Sequence, residues 1–137
     1  MTPTERIAQL LESFTPHFLT HSMNEALHTF STQILIALTQ PPPLQRTHTL
    51  TLKQCISTCT HQLTNSEYTA LPDPYLWRGL ARLKLGDPNS EDDLNTASTI
   101  YEYWKADDEA QKQGDDALRT KLETNFNTAM KTWKPDY

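Results

Sequence analysis

Apolar residues recur along this chain at helical spacing rather than in alternation. Ile7, Leu10, Leu11 and Phe14 fall at i, i+3, i+4 and i+7, the stripe of a helix that buries one face. Ahead of them, Thr2-Pro3-Thr4-Glu5 makes a capping box with proline at the first helical position. Pro16 is expected to end this helix or to start the next. A second box, Ser22-Met23-Asn24-Glu25, precedes the stripe Met23, Ala26, Leu27, Phe30, Ile34, Ala37 and Leu38. Leu35 and Ile36 widen that apolar face, so the second helix is expected to be central. Pro41-Pro42-Pro43 stops it with a rigid extended spacer.

The third helix is expected from about Leu50 to Leu63, with Leu52, Cys55, Ile56, Cys59 and Leu63 inward. A fourth starts at Asp73-Pro74, an N-cap with a first-turn proline. It carries Leu76, Trp77, Leu80, Ala81 and Leu83, and ends at Gly86. A fifth is capped by Asn89 or Ser90. Glu91, Asp92 and Asp93 fill its first turn, where carboxylates suit the helix dipole, and Leu94, Ala97, Ile100, Tyr101 and Trp104 form its stripe. The last is expected from about Asp107 to Trp133, with Ala110, Ala117, Leu118, Leu122, Phe126, Ala129, Met130 and Trp133 inward and a break available at Gly114. Pro135 ends it.

Composition sharpens the pattern. The chain has no valine, and its β-branched apolar residues are Ile7, Ile34, Ile36, Ile56 and Ile100, which argues against a sheet. Its 137 residues suit one domain able to bury a core of its own. Three glycines in all leave little room for phosphate-cradling loops. A net charge of -5 withholds the basic field that nucleic-acid binding uses. No apolar run is long enough to span a membrane, and Met1-Thr2-Pro3-Thr4-Glu5 does not read as a secretory signal. Cys55 and Cys59 lie one helical turn apart, poor disulfide geometry. A reducing compartment, cytoplasmic or nuclear, is therefore expected.

Charge is unevenly spread. Residues 1–70 hold three basic residues (Arg6, Arg46, Lys53) and four acidic ones, whereas residues 71–137 hold nine and thirteen. Thr, Gln, Ser and His solvate the first part instead. A weakly charged surface resists association less, so a partner contact there is one expectation, and simple compositional drift is the other.

Residues 75–97 include Tyr75-Leu76-Trp77-Arg78-Gly79-Leu80-Ala81-Arg82-Leu83-Lys84-Leu85-Gly86-Asp87, then Asp93-Leu94 and Ala97. This resembles a tetratricopeptide (TPR) repeat, over about residues 72–105: a helix with small residues near its middle (Gly79, Ala81), a Gly-Asp turn, and a second helix offering a large then a small residue. An ordinary αα-hairpin with glycine at a close crossing fits the same residues. The resemblance implies stacked hairpins whose concave face binds a peptide or helix of a partner protein. It places Leu76, Leu80, Leu83 and Lys84 along the groove. Asn24 is similar to the asparagine with which some family members clamp a terminal carboxylate.

Other constellations point to little chemistry. His17, His21 and His28 suit one face only if the helix is unbroken there, and Pro16 and the box at Ser22 oppose that, so no metal is expected. Cys55 and Cys59 read as small buried apolar residues. Asp92-Asp93, Asp107-Asp108-Glu109 and Asp115-Asp116 stand at helix starts, where capping explains them. Trp77, Trp104 and Trp133 crowd the second half with Tyr75, Tyr101 and Tyr103. Tyr103 lies off the inward stripe and is expected as an exposed interface anchor.

The sequence thus predicts a single all-α domain over residues 1–137, about six helices stacked as antiparallel, TPR-like hairpins with a C-terminal capping helix. The expected function is a non-catalytic interaction module without cofactor, binding a protein partner but no nucleic acid and no membrane, with homo-oligomerisation open. The alternative is a small all-α enzyme with a pocket between helices.

Overall fold

A computed structural model of the chain describes residues 2–21, 31–64 and 72–132. Among them it is all-helical, with six helices: α1 (Pro3–His21), α2 (Ser31–Thr39), α3 (Arg46–Gln62), α4 (Pro72–Leu85), α5 (Ser90–Lys112) and α6 (Asp116–Thr132). The box at Ser22, with Asn24, and the positions His28, Phe30, Trp133 and Pro135 lie outside the described residues.

Local chemistry sets the helix ends. Thr2 Oγ1 accepts the Glu5 N–H at 3.1 Å, which satisfies a donor left over by the first turn of α1. This helix then runs through Pro16 to His21, against the expectation of a stop there. α3 starts at Arg46, one turn earlier than the apolar stripe alone suggests. α4 and α5 end in the same way. Gly86 has φ +79 and Gly114 φ +69, the left-handed conformation glycine adopts without strain. The Asp87 N–H reaches Arg82 O at 2.8 Å and the Gly86 N–H reaches Leu83 O at 3.2 Å. Asp115 and Gly114 repeat this on Ala110 O and Gln111 O at 2.9 and 3.1 Å. Both are Schellman closures. The second one corrects the expected boundary: residues 107–112 extend α5, and α6 begins after Gly114. Asp115 then caps α6, its Oδ1 accepting the Leu118 N–H at 3.0 Å.

The helices pack in chain order, α2 on α3, α3 on α4, α4 on α5 and α5 on α6, while α1 lies against α4 and α2. The shared core runs from Ile7 and Ile34 through Leu52, Cys55 and Cys59 to Tyr75, Leu76, Leu80 and Ile100. α4 is its centre, since every residue from Asp73 to Arg82 is buried. The closest approach is at Gly79: a Cβ there would lie 2.9 Å from Leu94 Cδ2 and 3.1 Å from Asp93 Cβ. The expected close crossing between the fourth and fifth helices is thus present, with glycine making room for Leu94.

Candidate functional site

The leucine row that resemblance assigns to a groove lies in the core. Leu76 and Leu80 are fully enclosed, and Leu83 packs against the same cluster half-buried. α4 has neighbours on several sides, α1, α3 and α5 among them, so neither apolar row faces solvent. Leu76 and Leu80 therefore do not line an open surface. Lys84 is also engaged internally. Its Nζ donates to Thr4 Oγ1 at 2.6 Å and to the Gln40 carbonyl, tying the start of α1 and the end of α2 to α4. Burial there pulls its ammonium below the ordinary lysine range. An acidic group on a partner would have to displace these contacts.

Tyr103 is half-buried rather than an exposed anchor. It stacks on Phe126 with ring centroids 4.2 Å apart and planes 12° from parallel, inside the α5–α6 hairpin. Burial, then Asp107 and Glu123, raise its phenol above the usual value. Asn24 lies outside the described residues, so of the six assigned contact residues the structure draws Leu76, Leu80, Leu83, Lys84 and Tyr103 into packing contacts and brings no groove together.

Beneath the Gly79 crossing lies a buried ionic cluster. Arg78 Nε and Nη2 grip Asp93 in a two-pronged pair, 2.9 Å to Oδ2 and 2.6 Å to Oδ1. Arg82 Nη1 adds a bond to Asp93 Oδ2 at 2.9 Å. Arg78 Nη1 reaches Thr60 Oγ1 on α3 at 3.3 Å. Arg78 is 1% exposed and Asp93 3%. Arg82 Nε has no hydrogen bond and faces Asp87 Oδ2 only at ion-pair range, 3.8 Å. Asp93 also sits in the first turn of α5, where the dipole favours it. Two guanidinium groups around one carboxylate, tied to three helices, fix register and orientation; a solute has no open approach to them. The sequence signal was available: Arg78 and Arg82, four apart within the largely apolar middle of the helix, must share a face, and the nearest acids across the Gly-Asp turn are those of α5.

The cysteines are inert by the same logic. Cys55 Sγ donates to the Trp77 carbonyl at 3.8 Å. Burial, then the contact with Cys55, raise the Cys59 thiol well above its usual value, so it stays protonated. Among the described residues, no three His, Cys, Asp or Glu side chains are grouped to hold a metal ion. No helix among them is long and apolar enough to cross a membrane.

Exposed apolar residues lie elsewhere. Among the described residues, the large ones left open to solvent are Leu35 (38%), Ile36 (45%), Leu50 (55%) and Leu118 (39%). The first three belong to the α2–α3 hairpin and the last to α6. Leu35 lies four residues before the end of α2 and Leu50 four after the start of α3. The short connection between the helices turns the chain back, which sets the two at one level. The sequence pattern had Leu118 facing inward; a helix packed chiefly on one neighbour has a narrower buried face than its apolar content suggests.

Compared with family models, with curated proteins and with solved structures, the chain matches none.

Proposed function

We propose that this protein is a non-catalytic interaction module, an adaptor or subunit of a larger assembly, built from TPR-like stacked hairpins. The observation that carries the reading is the distribution of apolar surface. The central helices α4 and α5 keep their large aliphatic side chains out of solvent, while α2, α3 and α6 leave Leu35, Ile36, Leu50 and Leu118 exposed. Exposed aliphatic side chains mark a partner surface where they gather on one element, and Leu35, Ile36 and Leu50 gather on the α2–α3 hairpin. The α2–α3 hairpin adds a second feature: residues 31–64 contain no Asp or Glu, and low charge is typical of the centre of an interface. In this reading the contact surface moves from the α4 leucines to the α2–α3 face.

The test is an Ile36→Glu, Leu50→Glu double variant of the tagged protein, checked for helical content by circular dichroism. Both side chains already face water, so the variant is expected to stay folded. Partners identified by mass spectrometry with wild type should be lost from it. Retention of the same partners by the folded variant would remove the α2–α3 face from the function.

A further inference from the structure

We infer that the partner of these outer surfaces is a second copy of the chain, bound head to tail: the α3 face carrying Leu50 docks on the α5–α6 corner carrying Leu118. The inference rests on the interaction-module reading above and names its partner.

Each surface pairs an exposed leucine with charge of one sign. On α3, Arg46, Leu50 and Lys53 lie at i-4, i and i+3, which places them side by side on one helix face, and all three are exposed. No acidic residue occurs anywhere in residues 31–64 to neutralise that face. At the other end, Leu118 lies two and three residues after Asp116 and Asp115. Asp115 is held beside it, since its Oδ1 accepts the Leu118 N–H. Asp108, Asp115 and Asp116 are exposed, and residues 107–118 contain five carboxylates against one lysine. Part of that charge is met internally, because Arg119 Nε bonds Asp107 at 3.3 Å and Lys112 faces Glu109 at 3.8 Å; the exposed Asp108, Asp115 and Asp116 remain on the corner.

Charge decides how two copies can meet. A symmetric contact through α3 would oppose Arg46 and Lys53 to themselves, and one through the corner would oppose carboxylates to carboxylates. The head-to-tail arrangement sets basic against acidic and leucine against leucine, and like-charge juxtaposition penalises the other two. Such a contact uses different surfaces on the two copies, so it leaves a free surface at each end and can extend. The surfaces are small, so association is weak, with a dissociation constant on the order of 100 µM.

Sedimentation velocity of the full chain tests this. Wild type is expected to show a weight-average mass that rises with concentration and falls as salt is added. Leu50→Glu and Leu118→Lys, each confirmed folded by circular dichroism, should each sediment as a monomer. Mixed together they should form a dimer and nothing larger, because each keeps one intact surface, and the two are complementary. A wild type that stays monomeric up to about 1 mM, about ten times the expected constant, overturns the inference. So does a variant that associates as wild type does, or a mixture that fails to dimerise. A monomeric wild type whose partners are still lost with the α2–α3 double variant would overturn self-association and leave the interaction-module reading standing.

Discussion

Two residues carry most of the specificity of the central crossing. Gly79 is the point where α4 meets Leu94 and Asp93 of α5 at a distance no side chain fits without movement. Replacing it with alanine adds one carbon to a tight contact but gains about 1 kcal/mol of helix propensity, so that variant should end near wild-type stability. Leucine gains nearly the same propensity but adds three further carbons to a contact that has no room for them, so Gly79→Leu should lose about 1–3 kcal/mol in urea unfolding. Leu94→Ala should cost less in that background than in wild type, a coupling that would be absent if the two helices did not meet there. Asp93 is the second. It is the one carboxylate hydrogen-bonded by both Arg78 and Arg82. Asp93→Ala leaves two guanidinium groups enclosed without it and should cost about 3–5 kcal/mol. A loss under about 1 kcal/mol, the size of an exposed pair, would show that water reaches the cluster. Sequence pattern found the first residue and missed the second for one reason. A small residue in an apolar helix advertises close packing by itself, whereas Asp93 looks identical to Glu91 and Asp92 beside it until α4 is laid across α5.

At the scale of elements, α1 is held to the body by buried Ile7 with half-buried Leu10 and Leu11, by Lys84 on Thr4, and by Arg6 bound through both terminal nitrogens to both oxygens of Glu91. The last pair is well exposed, so its contribution is small, under about 1 kcal/mol. Its pH dependence has a defined sign. Arg6 holds the Glu91 carboxyl below the ordinary glutamate range, so the pair stabilises above that range and its contribution is lost as pH falls through the depressed value. Arg6→Ala should therefore be slightly less stable than wild type at pH 7, by an amount that salt reduces. The gap should close as pH falls through that depressed value; a gap that persisted once Glu91 is protonated would assign the effect to packing of the arginine stem. The elements themselves were largely legible. The stripes of α1, α3, α4 and α5 name residues that are in fact buried, Ile7, Leu52, Cys55, Leu76 and Ile100 among them. The ends were less so. Trp104 is the last strong apolar position of α5, yet the helix continues to Lys112 because Ala110 is buried and Gly114 closes it. A polar stretch keeps its helical shape when both ends are fixed, and apolar periodicity does not record that.

At the scale of the molecule, the packing is a sequence of neighbours with one hub, and the hub determines what the chain can lose. α4 touches α1, α2, α3 and α5, while α6 packs on α5 through contacts such as Phe126 on Tyr103. Over residues 116–128 of α6, Leu122 and Phe126 are half-covered and Leu118 is open. A chain that ends after Asp115 keeps the Gly114 closure of α5 and gives up the burial of Leu122 and Phe126, the Tyr103 stack and the Arg119 bond to Asp107. Half-burying two large apolar side chains is worth about 2–3 kcal/mol, against a total of roughly 5–15 kcal/mol for a domain of this size. The shortened chain should therefore still fold, with a cooperative melt at a lower temperature and a red-shifted tryptophan emission as Trp104, packed at the edge of the core, gains water. Leu80→Glu is the opposite case. It is a single substitution, but it places a carboxylate in the fully enclosed centre of α4, and it should abolish the cooperative transition. If removal of α6 unfolded the chain while Leu80→Glu did not, the stability of the molecule would reside in its outer hairpin rather than in α4, and the freedom of the two outer surfaces to bind a partner, argued above from their exposure, would go with it.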